Sequence, residues 1–585
     1  MSQNVSLDDF QEFVRQTLER WHVPGAAIAV IKDGEVILSQ GFGLRNLENQ
    51  LPVTAQTLFP IASCTKAFTA MLLALLVDEG KFDWDKPVRT YLPTFRLHDP
   101  VASERINGRD LLCHRSGLPR HDMMWAASNF TRQELFDRLC YLELSRDFRA
   151  AFQYNNNLYM VAGVLAGQIA GLGWEELVRQ RIFEPLGMQR SNFSTAVTQQ
   201  DDNFATPYQY RNEQLKQITF FETDGINDPV GPCGNIVSSV EELAKWLLIH
   251  LNGGRLGDSQ FVSQANLQQM HSPHIFIDDP VARERYGQEF TSYGLGWEML
   301  SHKGELLIQH SGAIDGFSSQ ISFLPRHNVG VVVLSNSDAN YNPIPAILSY
   351  EVYDRLAALK PTDWNGLLQP LYDSGVAAQN AGKEQSDALR KTDAPPSHPI
   401  MAYLGEYEHV AYGLLRVQSA SAEHDALQLV MNDKLTLPLT HYHYDIFEAY
   451  YEKWDERFKV RFGIDLRGEI DSITMQVESA VKDITFARRA DAMLRDPAIL
   501  KQFVGVYNYE GFPHTVSFKD AVTLKLSIPG DMDRLLLPYR GTEFNVEGLS
   551  GFSVLFKQEE GATEGDYNQA VFTIPGAVFT AQRVE

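Results

Sequence analysis

Apolar positions recur with a helical period between residues 8 and 22, where Phe10, Phe13, Val14 and Leu18 fall on one side. Two strands are predicted next, over residues 26–31 and 36–41. Lys32-Asp33-Gly34 joins them and is a hairpin signal, because Asp-Gly tolerates the positive φ of a tight turn. From Ser63 to about residue 250 the pattern is largely helical. Its most apolar stretch, residues 67–77, is interrupted only by Thr69 and reads as a buried core helix. Strands return over residues 305–309, 317–324 and 330–334, and a helix near residues 345–356 closes this part. Strands, a helical insertion, more strands and a closing helix predict an α+β domain over residues 1–360. Its single antiparallel sheet would draw strands from both ends of the segment.

Residues 361–397 break the pattern. Ala378-Gln379-Asn380-Ala381-Gly382-Lys383 and Asp393-Ala394-Pro395-Pro396-Ser397 show little apolar periodicity and are expected to be linker. Beyond it, Tyr403-Leu404-Gly405-Glu406-Tyr407 recurs 100 residues later as Phe503-Val504-Gly505-Val506-Tyr507. Each copy opens a run of short alternating segments: residues 427–430, 458–462 and 473–477 in the first, then 516–518, 524–528 and 571–574 in the second. Short strands without helices predict two small antiparallel barrels, over residues 398–490 and 491–585. One larger sandwich is the alternative.

Composition narrows the functions. An apolar content of 44% and a charged content of 21% are those of a folded globular chain. With 51 Lys and Arg against 74 Asp and Glu, the net charge is −23, which repels phosphate backbones and anionic membranes. Neither nucleic acid nor membrane is therefore expected as a partner. Cys64, Cys113, Cys140 and Cys233 form no disulfide framework and no zinc pattern. His441 and His443 alternate like same-face strand residues, but no third metal ligand lies near them in sequence. No cofactor or metal is expected. Residues 1–5 show no basic segment followed by an apolar one, and residues 67–77 fall short of the ~20 that span a bilayer. The expectation is a cytoplasmic protein.

Three short motifs carry candidate chemistry, and each occurs twice. Ser63-Cys64-Thr65-Lys66 and Ser479-Ala480-Val481-Lys482 are both S-x-x-K; Tyr154-Asn155-Asn156 and Tyr210-Arg211-Asn212 are both Y-x-N; His310-Ser311-Gly312 and His302-Lys303-Gly304 are both H-x-G. Context separates the members of each pair. Ser63 opens the apolar helix, and a serine and a lysine three apart on a helix share a face. Free N–H groups at the helix start favour an alkoxide, and burial favours a neutral amine on Lys66 that can accept its proton. Ser63 as a plain helix cap remains the competing reading. Tyr154 stands at the start of another helix, where a phenol near an ammonium can relay protons. Asn156 is suited to orient Lys66 and to hold a substrate carbonyl. An ordinary cap beside a packed tyrosine is the alternative here. His310 closes a short strand and could bond a substrate carboxylate or assist proton transfer, while Gly312 would let the substrate backbone approach. The N–H groups of Ala313 and Ser63 would form an oxyanion hole. A histidine and a glycine ending a strand at a turn is the alternative. No G-x-S-x-G and no H-E-x-x-H occurs, which argues against an α/β-hydrolase and a zinc protease. Gly231-Pro232-Cys233-Gly234 reads as a turn.

With its three motifs in this order, residues 1–360 resemble the serine β-lactamase and penicillin-binding superfamily, on its class C, D-aminopeptidase and family VIII esterase branch. Leu112-Cys113-His114-Arg115-Ser116-Gly117-Leu118-Pro119, Pro185-Leu186-Gly187-Met188, Gly294-Leu295-Gly296-Trp297 and Val333-Leu334-Ser335-Asn336 extend the likeness along the segment. The resemblance implies a β-lactamase/transpeptidase fold, an acyl-enzyme on Ser63, and no metal or cofactor. The two C-terminal units resemble lipocalin-like barrels, and the overall plan is similar to D-aminopeptidase. In that family a barrel loop enters the cleft and helps select a free amino terminus; residues 558–566 are the candidate here, against a plain solvated hairpin loop. Class C β-lactamases carry Lys-Thr-Gly where this chain has His310-Ser311-Gly312, so weak or absent penicillin hydrolysis is implied. The leading expectation is a serine hydrolase of small amides or short peptides with a D-residue. A carboxylesterase, a penicillin-acylated binder without turnover, and a ligand-binding role for the barrels stay open, as does a homo-oligomer.

Overall fold

The computed structural model describes residues 7, 9–223, 228–338, 342–420, 426–453, 455–559, 565 and 567–584. Two compact units result, Met1–Arg390 with Val477–Lys482, and Lys391–Gln476 with Asp483–Glu585.

The first unit is α+β. The nine strands of its main sheet are β1 (Gly25–Lys32), β2 (Glu35–Asn46), β3 (Leu51–Pro52), β4 (Ile275–Ile277), β5 (Thr291–Tyr293), β6 (Glu298–His302), β7 (Glu305–Ile314), β8 (Phe317–Leu324) and β9 (Val329–Ser335). They pair antiparallel in the order β4-β5-β6-β7-β8-β9-β1-β2-β3, so both ends of the segment do build one sheet. Asp33 and Gly34 have φ of 53° and 85° between the paired Lys32 and Glu35, the backbone of the expected tight hairpin. β1 lies inside the sheet and is buried along nearly its whole length, which is why its sequence, GAAIAVIK, is continuously apolar.

The faces of the sheet are covered by helices whose patterns match their burial. On one side α1 (Phe10–Arg20) places Phe10, Val14 and Leu18 against Ile28, Val30, Val331 and Val333. The helix Ile344–Leu356, here α5, adds Ile347, Leu348 and Tyr353 to the same cluster. Each such side chain contributes about 1.5–3 kcal/mol on burial. On the other side Leu247 and Leu251 of Val240–Leu251 approach Gly330 so closely that a Cβ there would meet them at 2.8–2.9 Å. α2 (Thr65–Asp78) is buried on nearly all sides, as its unbroken apolar run requires, and Phe68 stacks on Trp246 at 4.0 Å.

Two expectations need correction. β7 does not close at His310 but runs on through the H-S-G residues to Ile314, and the turn comes at Asp315-Gly316. The 361–397 stretch is not a loose linker, because α6 (Trp364–Ala388) occupies most of it. Trp364 anchors the helix. Its ring is buried, its Nε1 donates to Asp354 at 2.9 Å, and the Lys303 ammonium lies 4.6 Å from its centroid. Leu367, Leu368 and Tyr372 follow Trp364 at helical spacing and pack, partly buried, on the same core; further along, Ala, Gln, Glu and Lys carry the helix by intrinsic propensity with hardly any apolar stripe.

The second unit holds two closed eight-stranded antiparallel barrels, the first over residues 405–488 and the second over residues 505–583. The repeat noticed in the sequence has a structural reason. Tyr407 donates to the Tyr403 carbonyl at 2.9 Å, and Tyr507 donates to the Phe503 carbonyl at 3.0 Å. Arg488 in the last strand of the first barrel bonds the carbonyls of Ala402 and Leu404; Arg583 bonds those of Gln502 and Val504 in the second. The aromatic pentapeptide and a distant arginine thus close each barrel. The second interior is filled by Phe503, Tyr507, Phe544, Phe556 and Phe572.

Candidate active site

The chain enters α2 through a 3₁₀ turn, Ala62–Cys64, which sets Ser63 one turn ahead of Lys66. Ala62 has φ of 46°, a left-handed conformation that costs a residue with a Cβ about 1–2 kcal/mol. The surroundings hold it there. Ile61 N–H donates to the Ile236 carbonyl at 2.9 Å, and the Ile61 carbonyl accepts the Ser319 hydroxyl at 2.8 Å.

Lys66 is completely buried. Its Nζ donates to Ser63 Oγ at 3.0 Å and to the Cys233 carbonyl at 3.1 Å. The same ammonium lies 4.8 Å from the Tyr154 ring centroid and 5.3 Å from that of Tyr159. Gly231-Pro232-Cys233-Gly234, read from sequence as a mere turn, is a single helical turn that supplies this carbonyl. Thr69 fixes it by donating to the Pro232 carbonyl at 2.7 Å.

β7 borders the same place. β6 pairs with it only as far as Glu298 opposite Gln309, so from His310 to Ile314 β7 keeps β8 alone as a neighbour. Cys64 Sγ donates to the His310 carbonyl at 3.2 Å, tying this stretch to the Ser63 turn. Burial pushes the Cys64 thiol up to about 12, so it is a packing thiol and not a nucleophile. The reason for glycine at 312 is also visible: a Cβ there would lie 2.1 Å from the Ile61 carbonyl and 2.2 Å from the Ser319 hydroxyl. The close approach is that of the Ser63 segment itself, not of a substrate backbone. Ala313 follows on the exposed side of the strand.

His310 is buried with both ring nitrogens engaged, Nε2 with the Tyr293 hydroxyl at 2.7 Å and Nδ1 with the Ser311 carbonyl at 2.7 Å. A carbonyl only accepts, so Nδ1 carries the proton and Nε2 accepts from Tyr293. Burial and then the Lys66 charge lower its pKa to about 3. A neutral imidazole so occupied is not arranged to grip a substrate carboxylate. Asn156 departs from expectation as well. Its amide donates to Asp122 at 3.1 Å, its buried Oδ1 has no partner, and Lys66 turns to Ser63 and Cys233 instead.

Tyr154 is held by a neighbour that motif matching passed over. The His114 ring lies 4.3 Å from the Tyr154 ring, 4.6 Å from that of Tyr293 and 5.3 Å from that of Tyr159. Its Nδ1 accepts the N–H of Asn155 at 3.0 Å, which fixes the neutral tautomer with the proton on a buried, unpartnered Nε2. Burial and then Lys66 hold its pKa well below the usual histidine range. His114 itself has φ of 62°. In the sequence, His114 stands within Leu112–Pro119, a stretch that carries family likeness and no chemical motif. Burial raises the Tyr154 phenol more than Lys66 and Ser63 lower it, so the resting side chain is a phenol.

The second member of each motif pair stands elsewhere. Ser479 and Lys482 are exposed in the connection between strands Ile470–Met475 and Ile484–Arg488. Tyr210 stacks on His22 at 4.1 Å. His302 ends β6, stacked with Trp364 at 5.6 Å. His441 engages the Tyr444 carbonyl and His443 accepts the Lys391 N–H, and no group of three metal-binding side chains occurs among the described residues. Of the candidate loop 558–566, residues 560–564 and 566 lie outside the described residues. No helix among the described residues is long and apolar enough to cross a membrane.

A family model described as Beta-lactamase matches residues 10–347, more than half of the chain. The chain belongs to the beta-lactamase family. Within the family it is 30% identical over 430 residues to the unguisins hydrolase ungD' of Aspergillus campestris, spanning 70% of this chain and 77% of that protein. Protein flp of Staphylococcus aureus is 26% identical over 354 residues, 58% of this chain and 65% of the other. The structure of an octameric penicillin-binding protein homologue from Pyrococcus abyssi matches with a TM-score of 0.52 at 23% identity, over 83% of this chain and 100% of its own, a likeness of fold. A domain of unknown function, DUF3471, matches residues 389–488, where the first barrel lies. The chain is thus a serine hydrolase of the beta-lactamase superfamily, with two barrels added.

Proposed function

We propose that the chain hydrolyses small amides through an acyl-enzyme on Ser63, as a D-aminopeptidase or D-amino-acid amidase. The observation that carries the catalytic part is the 3.0 Å contact of the buried Lys66 amine with Ser63 Oγ, under the Tyr154 ring. When Lys66 is neutral, its lone pair takes the proton as Ser63 Oγ attacks the substrate carbonyl. The oxyanion that forms faces the N–H groups of Ser63 and Ala313. Tyr154, kept as a phenol by burial, gives its proton to the departing amine and is resupplied by Lys66. Water then attacks the ester, its proton leaving by the same route in reverse, and Ser63 is regenerated.

The amide and D-residue parts rest on the resemblance to D-aminopeptidase, whose plan of one catalytic domain and two barrels this chain shares. A relative named as a hydrolase of unguisins supports hydrolysis in general. The test compares initial rates on D-alanine p-nitroanilide, its L-isomer and p-nitrophenyl butyrate, with Ser63→Ala as control. Turnover of the D-anilide that the substitution abolishes upholds the reading. Turnover of the ester alone replaces it with a carboxylesterase, and acylation by penicillin without turnover of any of the three replaces it with a binder.

A further inference from the structure

Among the described residues, two cations lie against the Tyr154 ring. Lys66 is buried and directs its donors at Ser63 Oγ and the Cys233 carbonyl. The other is Arg120, whose guanidinium carbon stands 5.1 Å from the ring centroid while its side chain is half exposed. The loop that carries it is held in place. The Arg120 carbonyl accepts from Asn157 Nδ2 at 2.9 Å, at the start of the helix Asn156–Ala170, here α3.

The side chain is oriented as well, but its outer donors are not used. Arg120 Nε donates to Asp122 Oδ2 at 2.7 Å. Asp122 is fixed in turn through Oδ1, which accepts from Asn156 Nδ2 at 3.1 Å and from Trp125 Nε1 at 3.0 Å. Nη1 and Nη2 of Arg120 make no hydrogen bond among the described residues. Glu478, whose carboxylate accepts the His121 N–H at 2.8 Å, forms no ion pair with Arg120. The result is an arginine pinned along one edge beside the nucleophile, with its two-pronged end open. That end matches the two oxygens of a carboxylate, the pairing in which arginine binds most strongly.

We propose that Arg120 selects substrates that carry a carboxylate near the scissile bond and grips that group with Nη1 and Nη2. The proposal rests on the roles given above to Ser63 and Tyr154. The distances allow it. Ser63 Oγ is 3.0 Å from Lys66 Nζ, which lies 4.8 Å from the same ring centroid that Arg120 approaches to 5.1 Å. Ser63 and the guanidinium are therefore less than about four residues of extended chain apart, at ~3.5 Å per residue. A neutral amide would leave both Nη groups to water, and an ammonium would be repelled. On the amidase reading, the substrate is then a short peptide with a free carboxylate rather than a simple amide. The carboxylate belongs either to the departing amine, as the C-terminus of a dipeptide would, or to the acyl part.

The experiment uses the full-length enzyme and two matched pairs of esters, which suit both the amidase and the esterase readings. 3-Carboxyphenyl butyrate and its methyl ester place the carboxylate on the leaving group. Mono-p-nitrophenyl adipate and its methyl ester place it on the acyl part. The readout is the ratio of kcat/KM for the acid over its methyl ester, in the wild type, Arg120→Gln and Arg120→Lys. The wild type is expected to favour the acid in at least one pair, and the pair that responds names the side. That ratio should fall about tenfold or more in Arg120→Gln and by less in Arg120→Lys, which keeps the charge without the paired donors. A ratio unchanged in both pairs, in an Arg120→Gln protein that melts like the wild type, overturns the proposal and leaves Arg120 as an anchor for Asp122. Where Arg120→Gln melts early, Arg120→Lys decides, by a fall of about threefold or by none. If D-alanine p-nitroanilide is inert while the ratio falls, the amidase reading fails and the role of Arg120 stands; turnover of the anilide with an unchanged ratio does the reverse. If no ester turns over, protection of Ser63 from a fluorophosphonate label by benzoate, compared with benzamide, takes the place of the ratio. Selective protection by benzoate that Arg120→Gln weakens about tenfold supports the proposal, and equal protection by both overturns it.

Discussion

Ser63-Cys64-Thr65-Lys66 and Ser479-Ala480-Val481-Lys482 spell the same motif in one chain, yet the fold treats them in opposite ways. The first begins a helix that is buried on nearly every side, and its lysine has lost all contact with water. With no solvent to turn to, Lys66 must direct its donors at Ser63 and the Cys233 carbonyl. The second lies in a connection between strands, with both side chains exposed. Spacing alone is therefore not chemistry. The enclosure that denies the amine any other partner is what makes the pair reactive.

The sharpest way to break this comparison is to remove the nucleophile. Ser63→Ala should lower kcat on any accepted ester or anilide by at least ~10⁴-fold with the fold intact, measured by initial rates and by thermal melting. Lys66→Gln leaves a polar side chain one atom shorter and removes the base, and should cost about 10³-fold in kcat with little change in KM. An unchanged kcat in a Lys66→Gln protein that melts like the wild type would move the base to another group.

His114 extends the contrast from the pair to its surroundings. His114→Phe keeps an aromatic ring against Tyr154 but frees the Asn155 N–H that Nδ1 now accepts. Because Asn155 directly follows Tyr154, the phenol should shift and kcat should fall by about 10²-fold while KM holds. His114→Asn retains an acceptor near the backbone and should recover part of the loss. A variant that loses stability and turnover together, without this split between kcat and KM, would make His114 merely structural.

How much of this could be read from the chain depended on whether a signal was local. The order of strands and helices in the first unit followed from apolar periodicity, as did the buried α2. The short strands β3 to β6 carry too few residues for any period to register, and α6 escapes notice because its apolar stripe, Trp364, Leu367, Leu368 and Tyr372, is confined to its first half and interrupted by Pro370. Ser63, Lys66 and Tyr154 stood in motifs and converge in space. The Cys233 carbonyl and the His114 ring could not be found the same way. A backbone oxygen has no residue identity, and the pairing of His114 with the Asn155 N–H spans 41 residues of sequence. The pentapeptide repeat predicted two barrels without revealing that Arg488 and Arg583 close them.

Acidity should separate the first unit further. His310 and His271 have pKa values lowered to about 3 and His302 to about 4, while burial holds His114 and His250 well below the usual range. Above pH ~6.5 these groups are neutral folded or unfolded and make no difference. Below it the unfolded chain takes up protons that the folded one refuses, so stability falls as pH falls from ~6.5 towards the folded values. Each histidine contributes a slope of up to about 1.4 kcal/mol per pH unit. The melting temperature should therefore drop steeply between pH 6.5 and 5, and His302→Gln should flatten the slope without touching Ser63. A melting temperature independent of pH across that range would mean that these imidazoles are protonated in the folded state.

The smallest effect belongs to the exposed S-x-x-K. Ser479→Ala and Lys482→Ala each remove a side chain that makes no buried contact, and exposed substitutions of this kind change stability by less than about 0.5 kcal/mol. Turnover should stay within about twofold of the wild type, since neither group has the burial that would give a lysine a reason to accept a serine proton. The double variant is the stricter control, because it removes both groups of the motif at once. Labelling by a fluorophosphonate should be undiminished in it and absent in Ser63→Ala. Residual labelling in Ser63→Ala that disappears when Ser479 is also replaced would show that the exposed motif reacts, and would leave burial without its claimed part in the difference.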